Sequence, residues 1–320
     1  MRKVENSEVT SGRIYDISDL SLKTVQNEES KYFGTQFITG SLDVATDEEC
    51  LNIVTIKFNF LRPVYNSGKT NETFTILKNM IENGVKTVVD NGKEEAEKIQ
   101  VTGSIGLNDF YTKDSSGELT LVSAKINSGS FVQTIKVLPK ESERSKFTCD
   151  MLINGVKLVE AKEENEEDYL VVKGAIFDFR KAILPIEFHC KDKDGIRFFE
   201  SLEPSANNLI FTRVWGTVIT SQDTVKKVTE SAFGGPVVEE HSRSRKEMII
   251  TRTYTYDHMY EVGDAATGIT TEEIQKALED REIYLASVKK RAEDYQASKE
   301  GGNTAKNVAS APAAQGGFNF

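Results

Sequence analysis

From Arg13 to Val137 apolar residues recur mostly at every second position, the spacing of half-buried antiparallel strands. Thr35–Val44 and Asn52–Phe60 show it most clearly, with Ala45–Glu49 between them as a hairpin connection. One helix interrupts at Glu72–Asn83, where Phe74, Leu77 and Ile81 share a face and Asn83-Gly84 supplies the stop. Strands resume at Lys98–Ile105, Gly117–Lys125 and Phe131–Leu138. The second half repeats the plan. Lys146–Val159 reads as a hairpin turning at Asn154-Gly155, followed by strands at Tyr169–Phe179, Ile183–Cys190, Ile196–Leu202, Asn208–Thr220 and Glu247–Tyr256. The Gly-Gly-Pro content of Glu230–Pro236 marks a loop.

Short internal echoes suggest a duplication. Ile38-Thr-Gly40-Ser-Leu42 corresponds to Val172-Lys-Gly174-Ala-Ile176, and Val101-Thr-Gly103-Ser-Ile105 to Val214-Trp-Gly216-Thr-Val218. Glycine weakens a strand interior, so its recurrence there predicts sharp bends or bulges, the device that closes small barrels. The fold class expected is mainly β: two barrel units in tandem over residues 1–142 and 143–262. Residues 263–298 then form a linker and an amphipathic helix, and 299–320 a disordered tail. Thr270-Thr-Glu-Glu273 offers a capping box for that helix, and Ile274, Leu278, Leu285, Val288 and Tyr295 give it a thin apolar stripe. The tail has nothing to bury.

Composition narrows the classes of function. With 50 acidic against 40 basic residues the net charge is −10, which argues against a surface that grips nucleic acid everywhere but leaves room for a local basic groove. Cys50, Cys149 and Cys190 are odd in number and widely spaced, as in a reducing compartment; a cytoplasmic location is expected, in a host cell if the protein is phage-encoded. No apolar run approaches the roughly 18 residues of a membrane span, so no membrane partner is expected.

The sequence offers little catalytic chemistry. Ser67-Gly68-Lys69-Thr70 resembles the end of a phosphate-binding loop, but Pro63 stands where the first glycine belongs, and the stretch reads as a turn. His189 and Cys190 are adjacent with no second ligand at metal spacing, and Lys191-Asp-Lys-Asp-Gly195 reads as a hairpin turn. The expectation is a protein that is no enzyme, with no cofactor, no metal and no small-molecule substrate. Aromatic residues beside basic ones are the remaining signal. Single-stranded nucleic acid is held by bases stacking on exposed rings while Lys and Arg track the phosphates. The candidates are Phe110, Tyr111 and Lys113 leaving one strand, Lys125, Phe131 and Lys136 around the next, and Phe211, Arg213 and Trp215 sharing one face of a later strand. That shared face is either core or stacking platform.

The glycine-bent strands around Gly40, Gly103, Gly174 and Gly216, the Asn108-Asp-Phe-Tyr111 segment and the terminal Phe318-Asn-Phe320 resemble the OB-fold single-stranded DNA-binding proteins of the phage-encoded type. The resemblance implies two OB-like barrels and sequence-tolerant binding of single-stranded DNA in replication or recombination. It also implies replication or recombination proteins recruited by Phe318 and Phe320 of the tail. Two departures stand out: Asn303–Gly317 holds no acidic residue ahead of the terminal aromatics, and the body is acidic. The rival reading is a structural or virion-assembly protein that uses the same barrels and tail to contact other proteins.

Overall fold

The computed structural model describes residues 2–161, 167–229 and 237–300; the expected tail with Phe318 and Phe320, and the Glu230–Pro236 loop, lie outside the described residues. In the first half the strands are β1 (Asn6–Asp16), β2 (Ser21–Thr24), β3 (Gln36–Ala45), β4 (Ile53–Leu61), β5 (Lys98–Lys113) and β6 (Leu119–Thr134), with helices α1 (Glu72–Asn83) and α2 (Val88–Asn91) between β4 and β5. In the second half β7 (Ser145–Val159), β8 (Tyr169–Phe177), β9 (Ile183–Cys190), β10 (Ile210–Thr229) and β11 (Val237–Thr253) enclose α3 (Lys193–Ser201), and α4 (Thr271–Glu300) follows. The protein is mainly β. The period of two is visible on β4, where Val54, Ile56 and Phe58 are buried and Thr55, Lys57 and Asn59 are exposed.

Pairing closes two rings. In the first, β1 pairs with β3, β3 with β4, β4 with β6, β6 with β5 and β5 with β1; in the second, β7, β8, β9, β11 and β10 follow the same circuit. In both, the link of the third strand to the fifth is parallel, and a helix stands between the third and fourth. This is the five-stranded Greek-key connectivity of the OB fold. Each parallel link spans only two residue pairs, Ile56–Asn127 and Lys57–Ser128 in one ring, Ile249–His189 and Ile250–Cys190 in the other, so neither barrel is tightly sealed. The rings are also not independent. A ladder from Asn6–Cys149 to Thr10–Ser145 joins β1 to β7, which makes all eleven strands among the described residues one sheet. One apolar cluster runs from Ile14 to Ile250 through both.

The repeated glycines fall at matching places, Gly40 and Gly174 on the second strand of each ring, Gly103 and Gly216 on the fourth. Register slips occur beside Gly40, Gly103 and Gly216, as bulges require. Gly40 has φ +121°, and a Cβ there would lie 2.1 Å from the carbonyl oxygen of Asp19; a Cβ at Gly216 would lie 2.2 Å from the Phe147 ring.

Other elements differ from expectation. Asn154-Gly155 is a bulge within β7 rather than a hairpin turn: Lys146–Ile153 pair with β10, Met151–Val159 pair with β8, and the β8 register slips between Ile153 and Gly155. Asp192 begins α3 instead of a turn, its carboxylate accepting from the Gly195 amide at 2.8 Å, and Phe199 seats the helix, so no strand runs over Ile196–Leu202. The two strands read at Gly117–Lys125 and Phe131–Leu138 are one, β6. The capping box of α4 is formed, Glu273 N–H donating to Thr270 Oγ1 at 3.2 Å and Thr270 N–H to Glu273 Oε2 at 3.1 Å. Ile274 and Ala277 then bury the first turns of α4 against Leu152, Phe177 and Phe211 of the second ring.

Candidate nucleic-acid interface

The nine ring residues singled out by sequence do not converge on one patch. Phe110 is 41 % exposed on the β5–β6 hairpin, opposite Val122. Tyr111 points to the side of the hairpin that carries Asp109, which α4 covers through a 3.0 Å ion pair from Arg281, and it is half-buried. Lys113 ends the strand, exposed. Phe131 is 43 % exposed but lies opposite Thr102, eight residues along the ladder from Phe110 and so roughly 26 Å away. Lys136 is exposed just beyond β6. Lys125 is partly buried and donates to the Glu187 carbonyl of the other ring at 2.9 Å.

Two residues on β10 need correction. Phe211 is 1 % exposed, edge-on to Phe177 and Tyr260 at 6.2 and 5.1 Å, and no base can reach it. The Arg213 guanidinium is bound to buried Asp150 through Nε at 2.7 Å and Nη2 at 3.0 Å, with the Tyr260 hydroxyl on the same carboxylate at 3.2 Å, so it braces the fold rather than tracking phosphates. That carboxylate holds the Arg213 pKa above its ordinary value. Trp215 on the same face remains partly exposed: Tyr254 meets its edge at 5.0 Å and the Arg252 guanidinium lies 4.4 Å over its ring.

A second aromatic and basic group was not legible in the sequence. The loop before β3 brings Tyr32 to 5.6 Å from Phe60 at the end of β4, and Phe37 packs on Phe60 at 4.7 Å. Arg62 lies 4.2 Å over the Tyr32 ring and Lys31 5.1 Å from it. Phe33 and Tyr65 beside them are 54 % and 46 % exposed. The residues come from three segments whose approach depends on ring closure, and Phe60, at φ +52°, leaves the strand alternation to join them. The Lys31-Tyr-Phe33 run was the one local hint.

Where the rings meet, Glu8 of β1 is almost fully buried, and burial raises its pKa to about 7. Lys246 of β11 reaches across to the Asn127 carboxamide at 2.7 Å, and burial lowers its pKa to about 8. Among the described residues no group of His, Cys, Asp and Glu could hold a metal, and no helix is long and apolar enough to cross a membrane.

Paired five-stranded rings of this connectivity, with guanidinium groups stacked on aromatic rings at their loops and edges, define an OB-like protein. The model of the YorF family matches residues 12–291, and the chain belongs to that family. Among solved structures it is similar to a deletion mutant of the single-stranded DNA-binding protein from Thermus aquaticus, with 10% identity and a TM-score of 0.44 over 79% of this chain and 95% of that one. It is also similar to a uricase from Bacillus fastidious, with 10% identity and a TM-score of 0.13 over 76% and 91% of the two chains. A search of curated proteins finds no match.

Proposed function

We propose that the protein is a non-catalytic, sequence-tolerant single-stranded DNA-binding protein of replication or recombination, acting in the cytoplasm, where three free thiols stay reduced. One observation carries the reading: both OB-like rings present accessible aromatic side chains with cationic groups stacked on them, Tyr32, Phe37 and Phe60 with Arg62 in the first, Trp215 and Tyr254 with Arg252 in the second. OB folds bind oligonucleotides on the face of their second and third strands and on the loops beside it. Phe37 and Phe60 belong to those strands of the first ring, Tyr32 to the loop before them, and Phe110 to the hairpin of its fourth and fifth strands. Bases with free π-faces stack there, and the net charge of −10 disfavours the long duplex, whose bases are already stacked.

Fluorescence-anisotropy titration of labelled oligo-dT, with duplex competitor, from low salt to about 200 mM tests this. Single-strand-selective binding that weakens with salt and quenches Trp215 is expected. Absence of binding at low salt would overturn it in favour of an assembly role.

A further inference from the structure

We propose that the outer face of the fused sheet carries a bound single strand from one ring to the other, from Trp215 across Lys146 to Phe131. This route presupposes the single-strand reading above. Directly paired residues of neighbouring strands project to the same side of a sheet. At the joint Glu8 of β1 pairs with Gly103 of β5 and with Phe147 of β7. Glu8 is 3 % exposed inside the first ring, beside Ile56 and Val101, and Phe147 is 1 % exposed in the core of the second. Both barrels therefore stand on the same side of β1 and β7. The other side is one surface from β10 through β7, β1 and β5 to β6. An unbroken row of pairs crosses it: Thr217–Lys146, Lys146–Val9, Val9–Thr102 and Thr102–Phe131. Beside that row, on the same side, run Arg252–Trp215, Trp215–Thr148 and Thr148–Ser7. Every residue of the two rows is half-buried or exposed.

The chemistry of this face matches a single strand. Its nine positions hold two cations, two aromatic rings, four hydroxyl groups and Val9, with no carboxylate among them, in a protein of net charge −10. Lys146 forms no ion pair among the described residues. Glu5, Asp150 and Glu247 border the rows; Arg213 binds Asp150 at 2.7 Å and Lys191 binds Glu247 at 2.6 Å. Rings for bases, cations for phosphates and hydroxyls that bond phosphate oxygens whatever the base are the contacts of sequence-tolerant binding.

The route also accounts for two exposed rings that the group around Tyr32 leaves apart. Trp215 lies on the fourth strand of the second ring and Phe131 on the fifth of the first, off the second and third strands that carry Phe37 and Phe60. Four strand spacings of about 4.8 Å separate Thr217 from Phe131, roughly 19 Å. That is the length of five or six stacked nucleotides at ~3.4 Å each, within the ~4–16 that one OB fold covers. Because β1 pairs with β7, no gap between the rings interrupts the path.

Anisotropy titration of labelled oligo-dT into the full chain, with sedimentation mass measured on the same samples, tests the route. Phe131→Ala is expected to weaken binding about tenfold and Phe131→Tyr, which keeps the ring, to retain it. Lys146→Ala should lower the salt slope by about 0.7, the share of one phosphate contact. Wild-type affinity and slope in both alanine variants, with oligo-dT still bound, would overturn the route and leave the single strand on Tyr32, Phe37 and Phe60. A change of mass in place of affinity would mean that a second copy covers this face, and would overturn the route equally. If the wild type binds no oligonucleotide even at low salt, the single-strand reading itself fails, and the route with it.

Discussion

Phe211 and Trp215 lie four positions apart on the same face of one strand and meet different surroundings. The segment from Tyr260 to Ala277 covers Phe211, whereas Trp215 lies past that cover and packs against Tyr254 and Arg252. Alternation places both on one face, but it says nothing about what lies above that face. Phe211→Ala is accordingly a folding variant: chemical denaturation should show a loss of about 3–5 kcal/mol. Trp215→Ala should leave the denaturation midpoint nearly unchanged and weaken oligo-dT binding by ~1–3 kcal/mol in an anisotropy titration. Equal losses of stability in the two variants would contradict the assignment of Trp215 to a binding surface.

At the scale of elements, α4 ties the rings together. Its first turns are buried against the second ring, and one turn later Arg281 reaches Asp109 of the first ring's long hairpin, where the Ser123 hydroxyl donates to the same carboxylate at 2.5 Å. Asp109 is only 5 % exposed, so removing its cation leaves a buried charge unmatched. Arg281→Ala should cost about 3 kcal/mol and speed amide exchange in α4 and in the Leu107–Ile126 hairpin, while the ring strands stay protected. Exchange unchanged in the hairpin would show that α4 does not hold it. Helix α1 was legible from its apolar spacing and its stop at Gly84, and the start of α4 from its capping box, signals that are all local; of the stripe read on α4, Ile274 and Val288 are buried while Leu278 and Tyr295 are exposed. The start of α3 was not: an Asp ahead of a Gly can open a helix or make a turn, and Phe199 chooses the helix by finding a place in the core.

Across the whole molecule, the joint between the rings sets a pH dependence of stability. Glu8 has a folded pKa of about 7 against an ordinary 4.5, so over that interval the folded state holds more protons than the unfolded one and stability falls as pH rises. Lys246 has a folded pKa of about 8 against 10.5, so between those values the folded state holds fewer protons and stability recovers as pH rises. The pair's contribution is least favourable between about pH 7 and 8. Thermal denaturation across pH 5 to 10 should show a trough there in the wild type relative to the Glu8→Gln/Lys246→Met double variant. Parallel melting curves for the two proteins would show that the pair does not titrate in the folded state.

Alternation, caps and the repeated glycines, all expressed over a few neighbouring residues, were enough to determine a mainly β chain with two related halves, helix α1, the start of α4 and the bent strands. What only the tertiary structure decided depends on residues far apart in the chain. That β1 pairs with β7 and fuses the rings into one sheet, that Tyr32, Phe37, Phe60 and Arg62 meet, that Phe211 is core, and that Lys246 faces Glu8 across the joint all follow from ring closure and from which surface covers which. Burial and distance between remote segments set those outcomes, and neither is a property of local sequence.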